Sequence, residues 1–180
     1  FGVECIGISN EMADIEVILL GHDFLKQLKI LDKIKLKINT LGDDDSRLNY
    51  KKVLVDYLND YRSDLSTDSI KRLSENPLRI LDSKNEVDKK IIINAPSVLD
   101  YLNQKSKERF EKVCEGLDIL NMKYEVNKKL VRGLDYYCHT AFEFITNELG
   151  AQGTVLAGGR YDGLSKMLGG IEIAGVGWAA

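Results

Sequence analysis

Residues 129–144 carry side chains that could do chemistry: an arginine, an aspartate and two adjacent tyrosines stand among apolar and β-branched neighbours. Because aromatic and β-branched residues are typical of strands, the composition predicts a β-strand over this stretch. Neighbours in a strand point to opposite faces, so Arg132 would share one face with Tyr136, and Tyr137 would take the other, unless a bulge at the nearby glycine changes the phase. An arginine on such a face needs an anion, a carboxylate or water. A salt bridge to Asp135 would satisfy it without any ligand.

Glycine recurs in two later segments, residues 150–164 and residues 174–180, which also have strand-like composition. Glycine inside a strand costs stability, and one reason to keep it is the close approach of a ligand or of another backbone. Each glycine taken singly is equally compatible with a turn. Together with the Arg-Asp-Tyr-Tyr stretch, these segments favour a sheet with a ligand lying on it. The glycines concerned are Gly158, Gly159, Gly175 and Gly177.

These segments resemble the histidyl-tRNA synthetases, a family of class II aminoacyl-tRNA synthetases. Residues 130–144 are similar to the family's histidine-binding signature, and residues 158–164 are similar to the strand element that follows it. Residues 1–4 resemble the end of the second class II motif, and residues 175–180 resemble the opening of the third. The likeness to bacterial enzymes runs through the whole chain, so it is a stronger signal than a short glycine pattern.

The resemblance implies an α+β fold, with a class II synthetase antiparallel sheet flanked by helices and a mostly helical inserted subdomain. We expect residues 1–45 to form part of the catalytic core, residues 46–122 to form the helical insertion, and residues 123–180 to return to the core. The order of strands, then helices, then strands agrees with an α+β arrangement.

The resemblance also implies site residues. Arg132 is expected to be catalytic and to reach the carboxylate of histidine and the α-phosphate of ATP. Glu4 and Tyr137 are expected to meet the two nitrogens of the imidazole, with Tyr136 and Tyr161 also binding the substrate. Packing within the sheet is the alternative for the tyrosines, and an exposed strand carboxylate is the alternative for Glu4. Possible border residues of the pocket are Asp135, Arg160, Gly158, Gly159, Gly175 and Gly177.

The implied reaction activates histidine with ATP and Mg²⁺ and then transfers the histidyl group to tRNA(His), in a cytoplasmic protein that is a homodimer at full length. Several family elements, including the motif arginines, are not found in this sequence, and both ends look like cuts through a larger domain. We therefore expect the chain by itself to be inactive. Two other interpretations stay open: a regulatory subunit of ATP phosphoribosyltransferase built on the same fold, and a plain binding or structural domain.

Composition limits the function classes but does not select one. The chain has 180 residues, of which 44% are hydrophobic and 29% charged, a globular composition. The net charge of −3 gives no indication of an RNA partner. No apolar run approaches the roughly 18 residues of a membrane span. The scattered cysteines and histidines fit neither a metal site nor a disulfide framework, and we predict no protein metal site.

Periodicity predicts the elements that position these segments. Apolar residues at intervals of three and four predict a helix over 10–28, and strict alternation predicts an antiparallel strand over 33–39 with its lysines outward. Asp45 or Ser46 is predicted to cap a helix over 47–62, in preference to a metal site at the run of aspartates.

The insertion has weaker patterns. Ser66 or Thr67 is predicted to begin a short helix, which the Asn-Pro pair at 76–77 ends. Residues 91–93 fit either a short strand or a buried helical turn. A clear apolar stripe over 110–120 predicts a final helix before the chain returns to the sheet.

Overall fold

A computed structural model of the chain describes residues 1–149 and 153–180. Within these residues, six strands form one sheet in the order β1-β6-β5-β4-β2-β3. All neighbours pair antiparallel except β2 and β3, which run parallel, so the α+β prediction is confirmed with one parallel pair added. The strands are β1 (Gly2–Ile6), β2 (Lys35–Thr40), β3 (Tyr124–Val126), β4 (Cys138–Ile145), β5 (Thr154–Arg160) and β6 (Gly175–Ala179).

Helices occupy most of the chain between β1 and β3. The α-helices are α1 (Glu11–Gln27), α2 (Asp44–Asp60), α3 (Thr67–Glu75), α4 (Glu86–Ile92) and α5 (Gln104–Ile119), with the single turn α6 (Leu164–Met167) after β5. Short 3₁₀ segments cover Leu31–Lys33, Pro77–Asp82 and Val98–Tyr101.

The predicted first helix and second strand are both present, with small shifts at their ends. Asn10, the first residue of the predicted range, is the N-cap residue of α1, and its side chain makes no capping hydrogen bond. Strand β2 has Leu36 and Ile38 buried and Lys35 exposed, as the alternation predicted. Lys33 lies in a 3₁₀ turn, so the strand begins later than expected.

Small polar side chains begin the insertion helices. Asp43, and not the predicted Asp45 or Ser46, caps α2, and its carboxylate accepts a hydrogen bond from the Ser46 amide at 2.9 Å. Ser66 caps α3, as predicted. Residues 91–93 lie at the end of α4, so the helical alternative is right and the strand alternative is wrong.

Two apolar clusters form the interior. The first, here called the sheet cluster, joins α1 and α5 to the sheet, and its members include Ile18, Leu25, Val113, Leu117, Phe142, Phe144 and Trp178. The second, here called the insertion cluster, joins α2, α3 and α4 to residues near β4, and its members include Tyr50, Leu54, Leu58, Ile80, Ile92, Val131 and Ala141. The insertion is thus packed directly against the stretch predicted to hold the chemistry.

The limits of the insertion stay a prediction, and the packing suggests a refinement. Helix α5 lies inside the predicted range 46–122, yet its buried apolar residues, Val113 and Leu117, belong to the sheet cluster. Asn103, just before α5, donates from Nδ2 to Oδ2 of Asp43 at 2.7 Å, which ties the start of the insertion to this point. We propose that the insertion ends near Asn103.

The predicted strand over 129–144 is only partly present. Strand β4 begins at Cys138, and residues 127–137 form an irregular loop, so the predicted alternation of Arg132, Tyr136 and Tyr137 across a strand is wrong. Strand β4 has register shifts between Cys138 and Ala141 and between Phe144 and Ile145, and neither lies at the glycine of the loop. Of the predicted glycine-bearing segment 150–164, residues 150–152 lie outside the described residues.

Candidate active site

The loop over 127–137, here called the signature loop, is irregular because its hydrogen-bond partners are side chains and local turns. The Asn39 side chain on β2 donates to the Leu130 carbonyl at 2.9 Å, and the Leu130 amide donates to the Asn127 carbonyl at 2.9 Å. Leu130 and Val131 are buried and anchor the loop. These contacts satisfy backbone groups that a strand would pair with a neighbour. The strand propensity of the aromatic residues is therefore overridden.

Residues of the insertion hold the far end of the signature loop. Nη1 of Arg47 donates to the carbonyl oxygens of Asp135, at 3.2 Å, and of Tyr137. Asn76 donates from Nδ2 to the carboxylate of Asp135. Among the described ion pairs, Asp135 has none with Arg132, so the alternative salt bridge is absent there. Asp135 serves the loop's own conformation.

Three tyrosines from two segments pack together beside the sheet. The rings of Tyr136 and Tyr137 lie 4.7 Å apart between centroids. Tyr161, just after β5, meets both rings edge-on, at 6.1 Å from Tyr136 and 6.3 Å from Tyr137. Edge-to-face contacts of this kind stabilise aromatic pairs beyond the area they bury. The structure thus brings together the three tyrosines that the sequence analysis selected.

Glu4 joins this group from the edge strand β1. Its carboxylate accepts a hydrogen bond from the Tyr161 hydroxyl. Burial raises the pKa of Tyr161, and the hydrogen bond to Glu4 raises it further, because ionising the phenol beside a carboxylate is unfavourable. Burial likewise raises the pKa of Tyr136. Both hydroxyls therefore stay protonated at neutral pH and can donate.

Glycine is required beneath the group because side chains occupy the space where a Cβ would stand. A Cβ on Gly177 would lie 1.7 Å from Oε2 of Glu4, and one on Gly175 would lie 2.4 Å from the Tyr161 ring. A Cβ on Gly159 would lie 2.6 Å from the Thr140 carbonyl oxygen and 3.0 Å from the Tyr137 ring. These separations are far below contact distance. Close approach of other protein groups therefore accounts for these glycines, with side chains at Gly175 and Gly177 and both backbone and side chain at Gly159. The ligand expected over the sheet stays a prediction.

Gly158 has a different role from the other selected glycines. A Cβ there would lie 2.0 Å from the Gly177 carbonyl oxygen and 2.7 Å from Cβ of Trp178. It therefore permits β5 and β6 to pack closely and does not face the tyrosines.

Arg132 is half-buried beside the Tyr137 ring. Its Cζ lies 5.6 Å from the centroid of the Tyr137 ring, a cation–π geometry. Its Nε is buried and has no hydrogen-bond partner. The side chain also lines a cavity of about 700 Å³ together with Ser66, Arg72 and Arg79 of the insertion. Arg132 therefore keeps hydrogen-bonding capacity for an anion.

Arg160 behaves differently from the prediction that it borders the pocket. Its side chain is fully buried on β5, and it donates to both carboxylate oxygens of Asp14, to Asp162, and to the carbonyls of Ile8 and Asn10, with its Nη2–Asp14 contact at 2.6 Å. Every N–H of the guanidinium is engaged, so none is left for a ligand. Its role is to fix the chain on either side of Tyr161.

His139 has no assigned role, and its surroundings are unusual. It adopts a positive φ of 45°, at the register shift of β4, and its buried Nδ1 has no hydrogen-bond partner. Burial lowers the pKa of His139, and the charge of Arg109 lowers it further. The ring is therefore neutral at pH 7.

The sequence analysis missed Arg47 and Asn76 as contributors to the site, and Asp14 as the partner of Arg160. These residues lie far from their partners along the chain, with separations of 88, 59 and 146 positions. Charged and amide residues are common on solvent-exposed surfaces, so no local pattern would have selected these three.

Two absences concern only residues 1–149 and 153–180. No group of three or more His, Cys, Asp or Glu side chains among them is placed to hold a metal ion, and this includes the run of aspartates at 43–45. No helix among them is both long and apolar enough to cross a membrane.

Comparisons with known proteins show which sequences and folds the chain resembles. A protein-family model described as histidyl-tRNA synthetase matches residues 1–180. The chain is 52% identical over 179 residues to the histidine–tRNA ligase of Rhodospirillum rubrum, and 55% identical over 168 residues to that of Orientia tsutsugamushi strain Ikeda. These matches cover 99% and 93% of this chain but 43% and 40% of the relatives, so the chain spans about two fifths of their length.

Solved structures show the same similarity. The apo histidyl-tRNA synthetase of S. aureus superposes with a TM-score of 0.77 at 36% identity, over 99% of this chain and 43% of that one. A protein of Bacillus halodurans, described as an ATP phosphoribosyltransferase regulatory subunit/histidyl-tRNA synthetase, has a TM-score of 0.60 at 23% identity, over 98% of this chain and 49% of that one. The second likeness concerns the fold alone.

Proposed function

This chain belongs to the histidyl-tRNA synthetase family, and we propose that it supplies the histidine-binding part of a histidine–tRNA ligase. The observation that carries the proposal is the convergence of Glu4, three tyrosines and Arg132 from separate segments over a glycine floor. Acid, phenols and guanidinium are the groups needed to bind an amino acid whose side chain is an imidazole.

The imidazole would lie between Glu4 and Tyr137. The carboxylate of Glu4 can accept from one ring N–H, and the Tyr137 hydroxyl can meet the other nitrogen. Tyr136 and Tyr161 would line the ring faces, since they already pack around Tyr137. A site of this kind rejects analogues that leave its polar groups unpaired.

Arg132 would bind the carboxylate of histidine and the α-phosphate of ATP. In this reaction a carboxylate oxygen forms a bond to the α-phosphorus, and pyrophosphate leaves with the electron pair of the broken P–O bond. The protein contributes positioning and charge neutralisation. A guanidinium suits this role because it is always charged and can meet two oxygens at once. The unpartnered Nε and the half-buried position of Arg132 support this assignment.

The remaining substrates and partners are inferred from the family to which this chain belongs. We propose that the complete protein takes ATP with Mg²⁺ and tRNA(His), is a homodimer, and works in the cytoplasm. The described residues offer no cluster of three or more metal-ligating side chains, so Mg²⁺ would enter with ATP. The insertion would contact tRNA, and its cavity with Arg72 and Arg79 beside Arg132 supports that assignment.

Histidine-dependent exchange of labelled pyrophosphate into ATP tests the proposal in the complete protein. Exchange that requires histidine, and that other amino acids do not support, is the expected result. Histidine binding without exchange would contradict it and would favour a regulatory subunit. Absence of both would leave a plain binding or structural domain.

A further inference from the structure

We propose that Arg47 and Asn76 of the insertion are positioning residues for histidine binding, because they hold the end of the signature loop in place. The inference rests on the proposed function and adds a physical link between the helical insertion and the amino-acid site. The hydrogen bonds described for both residues go to the loop backbone and to Asp135, so each would act through these groups.

Arg47 is well placed to act as a clamp. It lies in the first turns of α2, where its Nη2 donates to the Asp44 carboxylate at 2.7 Å, and its side chain is 24% exposed. Helix α2 is itself held by Tyr50 and Leu54, which are almost fully buried in the insertion cluster. The guanidinium is thus fixed on a rigid element while its Nη1 donates to the carbonyls of Asp135 and Tyr137.

The signature loop offers little of its own to replace these bonds. Near its end, the amide of Tyr137 donates to the Leu134 carbonyl at 3.5 Å, a long and weak contact. Gly133, Leu134 and Asp135 are exposed and add no buried anchor. The only described side-chain bond to the Asp135 carboxylate comes from Asn76. Donors from the insertion therefore hold this end together with the ring packing of Tyr137 and the pairing of Cys138 in β4.

The Tyr137 carbonyl and the Tyr137 ring belong to one residue, so a shift of the loop end would move the ring. That ring carries the contacts to Tyr136, Tyr161 and Arg132. Loss of the clamp would thus loosen the imidazole partner and the guanidinium together. Misplacement of reacting groups by about 1 Å can cost on the order of 10²-fold in rate.

Arg47→Ala in the complete protein tests the inference, with Arg62→Ala as the matched control. Arg62 is an exposed arginine just beyond α2 and makes no described side-chain contact with the loop. We expect Arg47→Ala to raise the KM for histidine in the exchange assay by about tenfold, the effect of losing one charge-assisted hydrogen bond, and to lower the exchange rate at saturating substrate because Arg132 moves with the loop. Arg62→Ala should leave both unchanged, and Arg47→Lys should recover part of the loss.

Amide hydrogen exchange gives a readout that does not depend on activity. We expect faster exchange at residues 133–138 in Arg47→Ala, with the amides of α2 and β4 protected as in the unchanged protein. An unchanged histidine KM together with unchanged exchange in the loop would overturn the inference. An increase of amide exchange in α2 as large as that in the loop would also overturn it. The loop would then loosen only because its supporting helix had loosened. A complete protein without histidine-dependent activity would defeat the proposed function, and the loop exchange would still decide the clamp.

Discussion

The regions around Arg160 and Arg132 use the same side chain in opposite ways. Arg160 is fully buried on a strand, and carboxylates and carbonyls engage all of its N–H groups. Arg132 is half-buried on an irregular loop, lies over the Tyr137 ring, and has a buried Nε without a partner. Both stand beside tyrosines in glycine-rich sequence, so residue types alone do not separate them.

Saturation of hydrogen bonds separates an arginine that holds the fold together, such as Arg160, from one that can bind a ligand, such as Arg132. A buried charge needs partners, and Asp14 with Asp162 provides them for Arg160. The resulting network joins α1, β5 and the segment before α1, and Arg109 of α5 adds a second ion pair to Asp14 at 2.9 Å. Around Arg132 the protein leaves capacity unused, which is costly unless a ligand takes it.

The largest effect on stability should come from removing Arg160, whose N–H groups are all hydrogen-bonded. Arg160→Ala is expected to lower the free energy of unfolding by about 3–5 kcal/mol, because Asp14 would stay buried with part of its charge uncompensated. Urea unfolding of the complete protein measures this. Lys33→Ala is the control, since its pair with Glu148 is exposed on both sides and should contribute less than about 1 kcal/mol. Equal effects of the two changes would contradict a stabilising role for the buried network of Arg160.

Arg132→Ala should lower activity strongly and stability only slightly, the reverse of what is expected for Arg160→Ala. We expect adenylate formation to fall by on the order of 10²–10³, since one preorganised donor to a developing charge is lost. The free energy of unfolding should change far less than in Arg160→Ala, because Arg132 has few protein partners. Pyrophosphate exchange and urea unfolding of the same sample check both parts. Near-normal exchange would remove Arg132 from the chemistry.

Tyr137→Phe sharpens the description of the ligand side. The ring contacts to Tyr136 and Tyr161 are kept, and only the hydroxyl is lost. We expect the KM for histidine to rise by about tenfold, the effect of one hydrogen bond to the imidazole, with little change in stability. An unchanged KM would assign Tyr137 to packing alone.

Asp43 is a partly buried carboxylate that accepts hydrogen bonds from Ser46 and Asn103. Its removal should have a smaller effect on stability than the removal of Arg160. Burial alone would raise its pKa, but hydrogen bonds from Asn103 and Ser46 outweigh burial and lower it from 3.8 to about 2. The carboxylate therefore stabilises the fold above about pH 4, and this contribution is lost as the pH falls towards 2. Asp43→Ala should cost about 1 kcal/mol at pH 7, as for other helix caps.

Thermal or urea unfolding at pH 7 and at low pH measures the Asp43 effect. The difference between Asp43→Ala and the unchanged protein should shrink across the acid window. Asp45→Ala is the matched control, because Asp45 is exposed in the same helix turn. A pH-independent difference would contradict the assigned pKa.

Regular elements with strong periodicity could be predicted from the sequence. Strand β2 followed from the alternation around Leu36 and Ile38, and helix α5 followed from the stripe that contains Val113 and Leu117. The buried side chains of these elements recur at the period of a strand or a helix, so a regular apolar pattern in the sequence is enough to predict them. Leu120, predicted in the same stripe, is exposed because the helix has ended.

The signature loop could not be predicted in the same way. Its residue types suit a strand, yet donors from Asn39, Arg47 and Asn76 hold it in another shape. Such long-range side-chain contacts leave no local pattern. The selected site residues were found through the family resemblance, whereas the separation of Arg160 from Arg132 needed coordinates.

The hydrogen bond between Tyr161 and Glu4 sets a condition on any guest molecule. Oε2 of the carboxylate already has a donor within the protein, and the second oxygen, Oε1, still has lone pairs that can accept an incoming N–H. The phenol thereby orients the carboxylate while leaving it able to accept from a ligand. A molecule without an N–H in that position leaves Oε1 without a partner, so discrimination between ligands would begin at Glu4, before any chemical step.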